Sequence, residues 1–234
     1  MVGALSRRNG AHQTRRQPLM ELAGPAGVGK STLARTLMGR LDGTPGTIWG
    51  LPVLPLLGNG LRLIPTFGGL WLHSGSPLWS ETRHMVRLRT LRRTLGRAQP
   101  RPTELVIFDE GPIFAMTWLR GFGHEALRQQ PSAEWWRSAT REWASVIDTV
   151  VVLDAPDHVL AQRIRARSHP HEVKELPDPE IARWMARFRE ALDWVLSEMA
   201  RHGGPLVVRL SAERPAERIA EQLSNALNER HHAG

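Results

Sequence analysis

The chain has 234 residues, 41% of them hydrophobic, with a formal net charge of +8 and no cysteine. Such a length suits one large α/β domain with a real core. The missing cysteine excludes disulfides, thiolate nucleophiles and cysteine-held metals. No apolar run reaches the roughly 20 residues of a membrane span, so the expectation is a cytoplasmic protein without a membrane segment.

Residues 1–17 hold Arg7, Arg8, Arg15 and Arg16 without an acid, and read as a disordered basic tail. The folded domain is expected over residues 18–230. Pro18–Ala23 is a short apolar run, read as a buried strand, and Thr32–Leu41 has Leu33, Leu37 and Leu41 on one helical face. Between them lies Gly24, Pro25, Ala26, Gly27, Val28, Gly29, Lys30, Ser31 and Thr32, the G-x-x-x-x-G-K-S pattern of a phosphate-binding loop. Glycines let the backbone curl so that successive N–H groups point at a phosphate, and the following helix adds its positive end. Lys30 reaches the β- and γ-phosphates, and the Ser31 hydroxyl is placed to hold Mg²⁺. Lys30 and Lys174 are the only lysines among 31 Lys and Arg residues. A compact ammonium fits inside such a loop where a forked guanidinium does not.

Asp42–Gly46 reads as a turn, and Thr47–Leu57, apolar with Pro52 and Pro55, as a short edge strand. Residues 58–80 are rich in Gly, Pro and Trp without a period. They read as a long loop, an insertion that either shapes a substrate pocket or is a poorly ordered excursion. Ser80–Leu95 returns to helical spacing and carries five arginines, as a clamp for an anion or as a solvated face. Glu104–Asp109 is a second apolar strand, ending in Asp109-Glu110-Gly111-Pro112. A short helix over Ile113–Gly121 follows, then an amphipathic one over Ser132–Val146 whose tryptophans are expected in the core. Thr149–Leu153 is a third strand and Asp157–Arg167 a helix. Ser168–Pro177 reads as a mobile loop, Asp178–His202 as a long helix, Pro205–Leu210 as the last strand, and Ala212–Glu229 as the last helix. Alternating strands and helices predict a parallel sheet of about five strands covered on both faces, an α/β three-layer fold.

In an open parallel sheet the ligand lies beyond the carboxyl ends of the strands. Asp109 would stand there, able to hold Mg²⁺ directly or through water. Glu110 either activates a hydroxyl or water, or caps the next helix.

The stretch from Leu153 through Arg167 reads L-D-A-P-D-H-V-L-A-Q-R-I-R-A-R. Together with the phosphate loop it resembles the lid entry of P-loop nucleoside and nucleotide kinases, thymidylate-kinase-like proteins above all. Pro205–Leu210 and Ser211–Pro215 are similar to that family's last strand and adenine-side loop. The resemblance implies ATP and Mg²⁺ as cofactors and a lid over residues 163–180. It also implies that Arg163 and Arg167 close over the phosphates, where arginine suits the spread charge of a transferred phosphoryl group. The chain departs from the family at Asp109-Glu110, where thymidylate kinases carry an aspartate–arginine pair. The acceptor is expected to be a hydroxyl or a phosphate of a nucleoside-like, nucleotide-like or other small metabolite; glutamate there removes a cation that would face a phosphorylated acceptor, which favours the neutral hydroxyl. Residues 51–60 offer no acid at the end of a second strand, so Asp109 or Glu110 serves as base, or catalysis rests on positioning.

The catalytic candidates are therefore Lys30, Asp109, Glu110, Arg163 and Arg167, with Ser31 and Asp109 for the metal. The expected activity is phosphoryl transfer from ATP to a small-molecule acceptor whose identity is open. A nucleotide-hydrolysing switch is the alternative, although no guanine-reading N-K-x-D is present. Arginines dispersed along the chain argue against a nucleic-acid partner; a homodimer is left open.

Overall fold

The computed structural model describes residues 17–75, 78–97, 105–168 and 170–232. Apart from Gln17, the basic tail lies outside the described residues.

Five parallel strands form the central sheet: β1 (Leu19–Ala23), β2 (Thr44–Thr47), β3 (Val106–Glu110), β4 (Thr149–Asp154) and β5 (Leu206–Ser211), in the order β2-β3-β1-β4-β5. β1 is buried along its whole length, as a central parallel strand covered on both faces must be. Side chains alternate across it. Leu19 and Ala23 join Val106, Phe108, Val150 and Val152 on one face. Met20 and Leu22 join Ile107, Val151 and Leu153 on the other.

The first face is covered by α3 (Ile64–Ser74), α4 (Trp79–Arg97), α5 (Pro112–Gly121), α6 (Ala133–Ala144) and α8 (Asp178–Ala200). The second is covered by α1 (Lys30–Leu41), α7 (Asp157–Arg165) and α9 (Ala216–His232). The chain leaves β1 for the β2 edge, returns to β3 beside β1, then crosses to β4 on the other side. The direction of winding thus reverses at β1, and its carboxyl end opens the crevice where ligands bind in such sheets.

The strands and helices from β3 onward lie where the periodicity put them, within a few residues. Trp136 and Trp143 are core residues, as expected. The region after α1 differs. The edge strand is Thr44–Thr47, mostly within the segment read as a turn, and beyond Thr47 the segment read as a strand is not one. Residues 58–80 are not a long loop, because α2 (Val53–Arg62) and α3 fill most of them. Pro52 stands at the N-cap of α2 and Pro55 in its first turn, where the missing N–H has no intrahelical partner to lose. Helix α3 closes at Gly75, in the left-handed conformation with φ 68°.

Helix α2 also inverts the usual pattern. Leu54, Leu57 and Leu61 face outward, and the one buried residue is Asn59. Its amide donates to the Thr90 hydroxyl at 2.9 Å and accepts from Arg93 of α4. Residues 172–175 form a turn whose Val173 is buried.

Candidate active site

The phosphate loop bends where its glycines allow it. Gly24 has φ 144°, and a Cβ there would lie 2.2 Å from the Leu153 carbonyl oxygen, so only glycine lets β1 turn so close to β4. Gly29, at φ 95°, is the N-cap of α1. The helix axis therefore starts at the loop, with its first N–H groups free for an anion. Lys30 Nζ donates to the Gly24 and Pro25 carbonyls at 2.8 and 3.2 Å. Burial holds this ammonium below its ordinary pKa, while Asp109 and Glu110 pull it back up.

Two cavities meet at the loop. One, of about 350 Å³, is lined by Gly27, Gly29, Thr32, Arg163, Ala212 and Arg214 among others. The second, of about 190 Å³, is lined by Gly24, Ala26, Lys30, Ser31, Asp109 and Glu110, and beyond them by aromatic side chains. Arg167 is the one residue that lines both.

Lys30, Ser31, Asp109, Glu110 and Arg167 thus line one cavity. Arg163 does not join them. Both terminal nitrogens of its guanidinium donate to the Ala212 carbonyl at 3.0 Å, which ties α7 to the loop after β5 in the first cavity. Arg167 lies beyond the end of α7, so the two arginines do not continue one helical face. The last turn of the helix parts them.

Asp109 and Glu110 end β3, next to β1 and hence beside the loop. Asp109 Oδ1 is buried and has no hydrogen-bond partner among the described residues. A buried carboxylate oxygen left open is costly unless a ligand or water completes it. With Ser31 in the same cavity, it fits Mg²⁺ carried in on a triphosphate. Among the described residues no cluster of three His, Asp or Glu could hold a metal alone. Glu110 Oε2 accepts from the Trp49 indole N–H, which fixes the carboxylate and leaves Oε1 for the cavity. Arg87 lies over the same indole, 4.3 Å from the ring centre.

Glu21, in the middle of β1, was not singled out by the sequence. It is completely buried and accepts the backbone N–H groups of Gly111, Ile113 and Phe114 at 3.2, 2.8 and 2.8 Å. These are donors at the start of α5, which the side-chain oxygens of Glu21 satisfy. Burial pushes its pKa up to about 8, against the pull of the three N–H groups and Lys30. Through this clamp the strand below holds the turn that follows Asp109-Glu110.

The far wall of the second cavity was also unforeseen. Phe114 and Trp118 come from α5, Trp184 and Phe188 from α8, and His171 and Glu172 from the segment between α7 and α8. Trp184 Nε1 donates to Glu172 at 3.1 Å and meets the His171 ring edge-on, so that segment is seated on α8. Arg189 of α8 braces the end of β4 and the start of α7 through Asp154 and Asp157, at 2.9 and 2.7 Å. Lys174 donates to the Arg167 carbonyl at 2.6 Å. The signal available in the sequence was the aromatic content of α5 and α8, which also suits a core.

No family model matches the chain, and no curated protein matches it. Solved structures do. The YorR protein of Bacillus subtilis, in complex with phosphorylated GDP, aligns with a TM-score of 0.55 at 15% identity, over 92% of this chain and 98% of that one. Deoxyadenosine kinase from M. mycoides, with dCMP and dCDP bound, aligns with a TM-score of 0.54 at 14% identity, over 90% and 98%. The same kinase with dATP gives 0.55 at 15% identity, over 91% of this chain and all of that one. The chain therefore shares the α/β fold of these solved structures. Among the described residues no helix is long and apolar enough to cross a membrane.

Proposed function

We propose that this protein is a Mg-ATP-dependent kinase that phosphorylates the hydroxyl of a small molecule carrying no phosphate of its own. The observation that carries the reading is the junction of two cavities at the phosphate loop, with Arg167 lining both and Asp109-Glu110 opening onto the second. A nucleotide occupying the first cavity would lay its phosphates along residues 24–32 and present the γ-phosphate to the second. A hydrolysing switch has no use for a walled second cavity. The deoxyadenosine kinase among the structural neighbours, and the nucleotides bound in them, support nucleotide use.

The residues divide the work. Backbone N–H groups of the loop and Lys30 neutralise the β- and γ-phosphates. Ser31 and Asp109 would hold Mg²⁺, which would supply positive charge to offset that of the phosphates. The acceptor oxygen bonds to the γ-phosphorus as the bond from that phosphorus to the β,γ-bridging oxygen breaks. ADP leaves with that electron pair, and the hydroxyl proton passes to Glu110. Arg167 follows the charge on the phosphoryl group in flight. Arg163 serves the nucleotide side by fixing the wall made by Ala212 and Arg214. A cytoplasmic setting, where ATP is at hand, suits this chemistry.

The test is an acceptor screen with the full chain and Mg-ATP, filtered by thermal shift and read by ³¹P NMR. A new phosphate monoester formed with ADP is expected. Release of inorganic phosphate alone, at a rate no acceptor changes, would favour the switch reading instead.

A further inference from the structure

The charges around the second cavity sort by side. Lys30 and Arg167 stand at the phosphate-loop edge, where a bound triphosphate would use them. Asp109 fronts the same phosphates. The acids left to the acceptor are Glu110 and Glu172. Each is held by an indole N–H, Glu110 by Trp49 and Glu172 by Trp184. Among the described residues neither forms an ion pair with Arg, Lys or His. Glu172 stands exposed at the mouth and Glu110 is half-buried inside. His171 brings no compensating charge, because burial holds its pKa below the ordinary value and its Nδ1 accepts the Val173 N–H. Arg87 lies over the Trp49 ring and does not line the cavity.

The walls between the two acids are aromatic: Phe114, Trp118, Trp184 and Phe188, with Trp184 stacked on both Phe122 and Phe188 and Trp118 on His84, so that a ligand meets what these stacks leave uncovered. Ring faces carry negative electrostatic potential and attract cations, tryptophan most of all. A neutral alcohol would offer its hydroxyl to Glu110 equally well, so the preference for a cation rests on Glu172 and the aromatic wall. An anionic acceptor would meet two carboxylates. At about 190 Å³ the space suits a compact molecule.

We propose that the acceptor is a compact alcohol bearing a cationic nitrogen, an amino- or guanidino-alcohol. Its cation lies among the tryptophan and phenylalanine faces with Glu172 at the mouth, and its hydroxyl points to Glu110. This rests on the kinase reading above and narrows it. The transfer is the one already described. The nitrogen stays protonated throughout, and the products are a phosphate monoester carrying a cation, ADP, and a proton on Glu110.

The experiment uses the full chain with Mg-ATP and a panel of amino-alcohols, amino-sugars and guanidino-alcohols. Each is paired with its N-acetylated or deaminated neutral counterpart. Turnover is read by ³¹P NMR. Binding, with a non-hydrolysable ATP analogue in place, is read by quenching of tryptophan fluorescence. The cationic member of a productive pair should show kcat/KM at least about tenfold above its neutral partner, the scale of a cation over aromatic faces plus one acid. Glu172→Gln keeps an oxygen for the Trp184 indole but removes the charge; it should narrow that preference while nucleotide affinity stays unchanged. Equal or better turnover of neutral acceptors, failure of every cationic member to bind, or an unchanged preference in Glu172→Gln overturns the inference and leaves the kinase reading standing. Failure of Mg-ATP itself to bind overturns the kinase reading.

Discussion

Separate alanine substitutions at Arg163 and Arg167 should produce two different kinetic defects. In the structure Arg163 donates twice, at 3.0 Å, to the Ala212 carbonyl, and it lines the cavity on the nucleotide side alone. Hydrogen bonds from a charged donor contribute about 1.5–3 kcal/mol. Loss of this pair frees the wall that carries Arg214 and Pro215. At about 1.4 kcal/mol per factor of ten, nucleotide Kd should rise roughly 10- to 100-fold in Arg163→Ala, with kcat at saturating ATP much less affected. Arg167 lines both cavities, where charge moves from nucleotide to acceptor. Interactions that strengthen in the transition state act on turnover, and an arginine at a transferring phosphoryl group contributes about 10³–10⁵ in rate. Arg167→Ala should therefore lower kcat by at least about 100-fold while nucleotide Kd changes less than tenfold. Calorimetric titration with a non-hydrolysable ATP analogue and single-turnover kinetics separate the two. Parallel defects in both variants would refute the division of labour read from the geometry.

Other predictions follow from neighbouring residues. Asp109→Asn should keep nucleotide binding but lower kcat by about 100-fold or more and raise the magnesium concentration needed for half-maximal rate; an unchanged magnesium titration would remove Asp109 from the metal site. Glu21 has its folded pKa raised from 4.5 to about 8, so folding takes up a proton between those values. Its neutral form stabilises the fold below about pH 4.5, and that contribution is lost as pH rises towards 8. Unfolding free energy of the native chain relative to Glu21→Gln should fall with pH across this window, by up to ~1.4 kcal/mol per unit; a flat difference from pH 5 to 8 in urea melts contradicts it. Gly111→Ala would set a Cβ 2.7 Å from Glu21 Oε2 and 2.8 Å from the Phe108 Cβ. It should cost about 1–3 kcal/mol of stability, the range for over-packing a filled interior, measured by chemical denaturation.

Local signals were legible in the sequence and long-range ones were not. The phosphate loop is a nine-residue pattern between a strand and a helix, so Gly24 to Thr32 could be placed from spacing alone. Asp109 followed from an apolar run that had to be a strand. The segment after β2 misled, because Gly58, Gly60, Gly68 and Gly69 lower helix propensity and α2 turns its leucines outward. Packing against α4 overrides both. Glu21 looked like a blemish in an apolar strand. Its partners lie 90 to 93 positions away, and only the pairing of β1 with β3 brings them together. Arg163 and Arg167 are four apart, but whether they share a target depended on where α7 ends. Trp118 and Trp184 drew no reading from the sequence, because aromatic residues on helices suit a core as well as a cavity; tertiary placement makes them the wall of one.

The central claim is that residues 24–32 grip the phosphates of ATP. Calorimetric titration of the full chain with Mg-ATP, beside Lys30→Ala, tests it most directly. One nucleotide per chain is predicted, with the lysine variant at least about 100-fold weaker, the scale of removing two charge-assisted hydrogen bonds from an enclosed site. A native chain that takes up no Mg-ATP, or a variant that binds it equally well, would contradict the account.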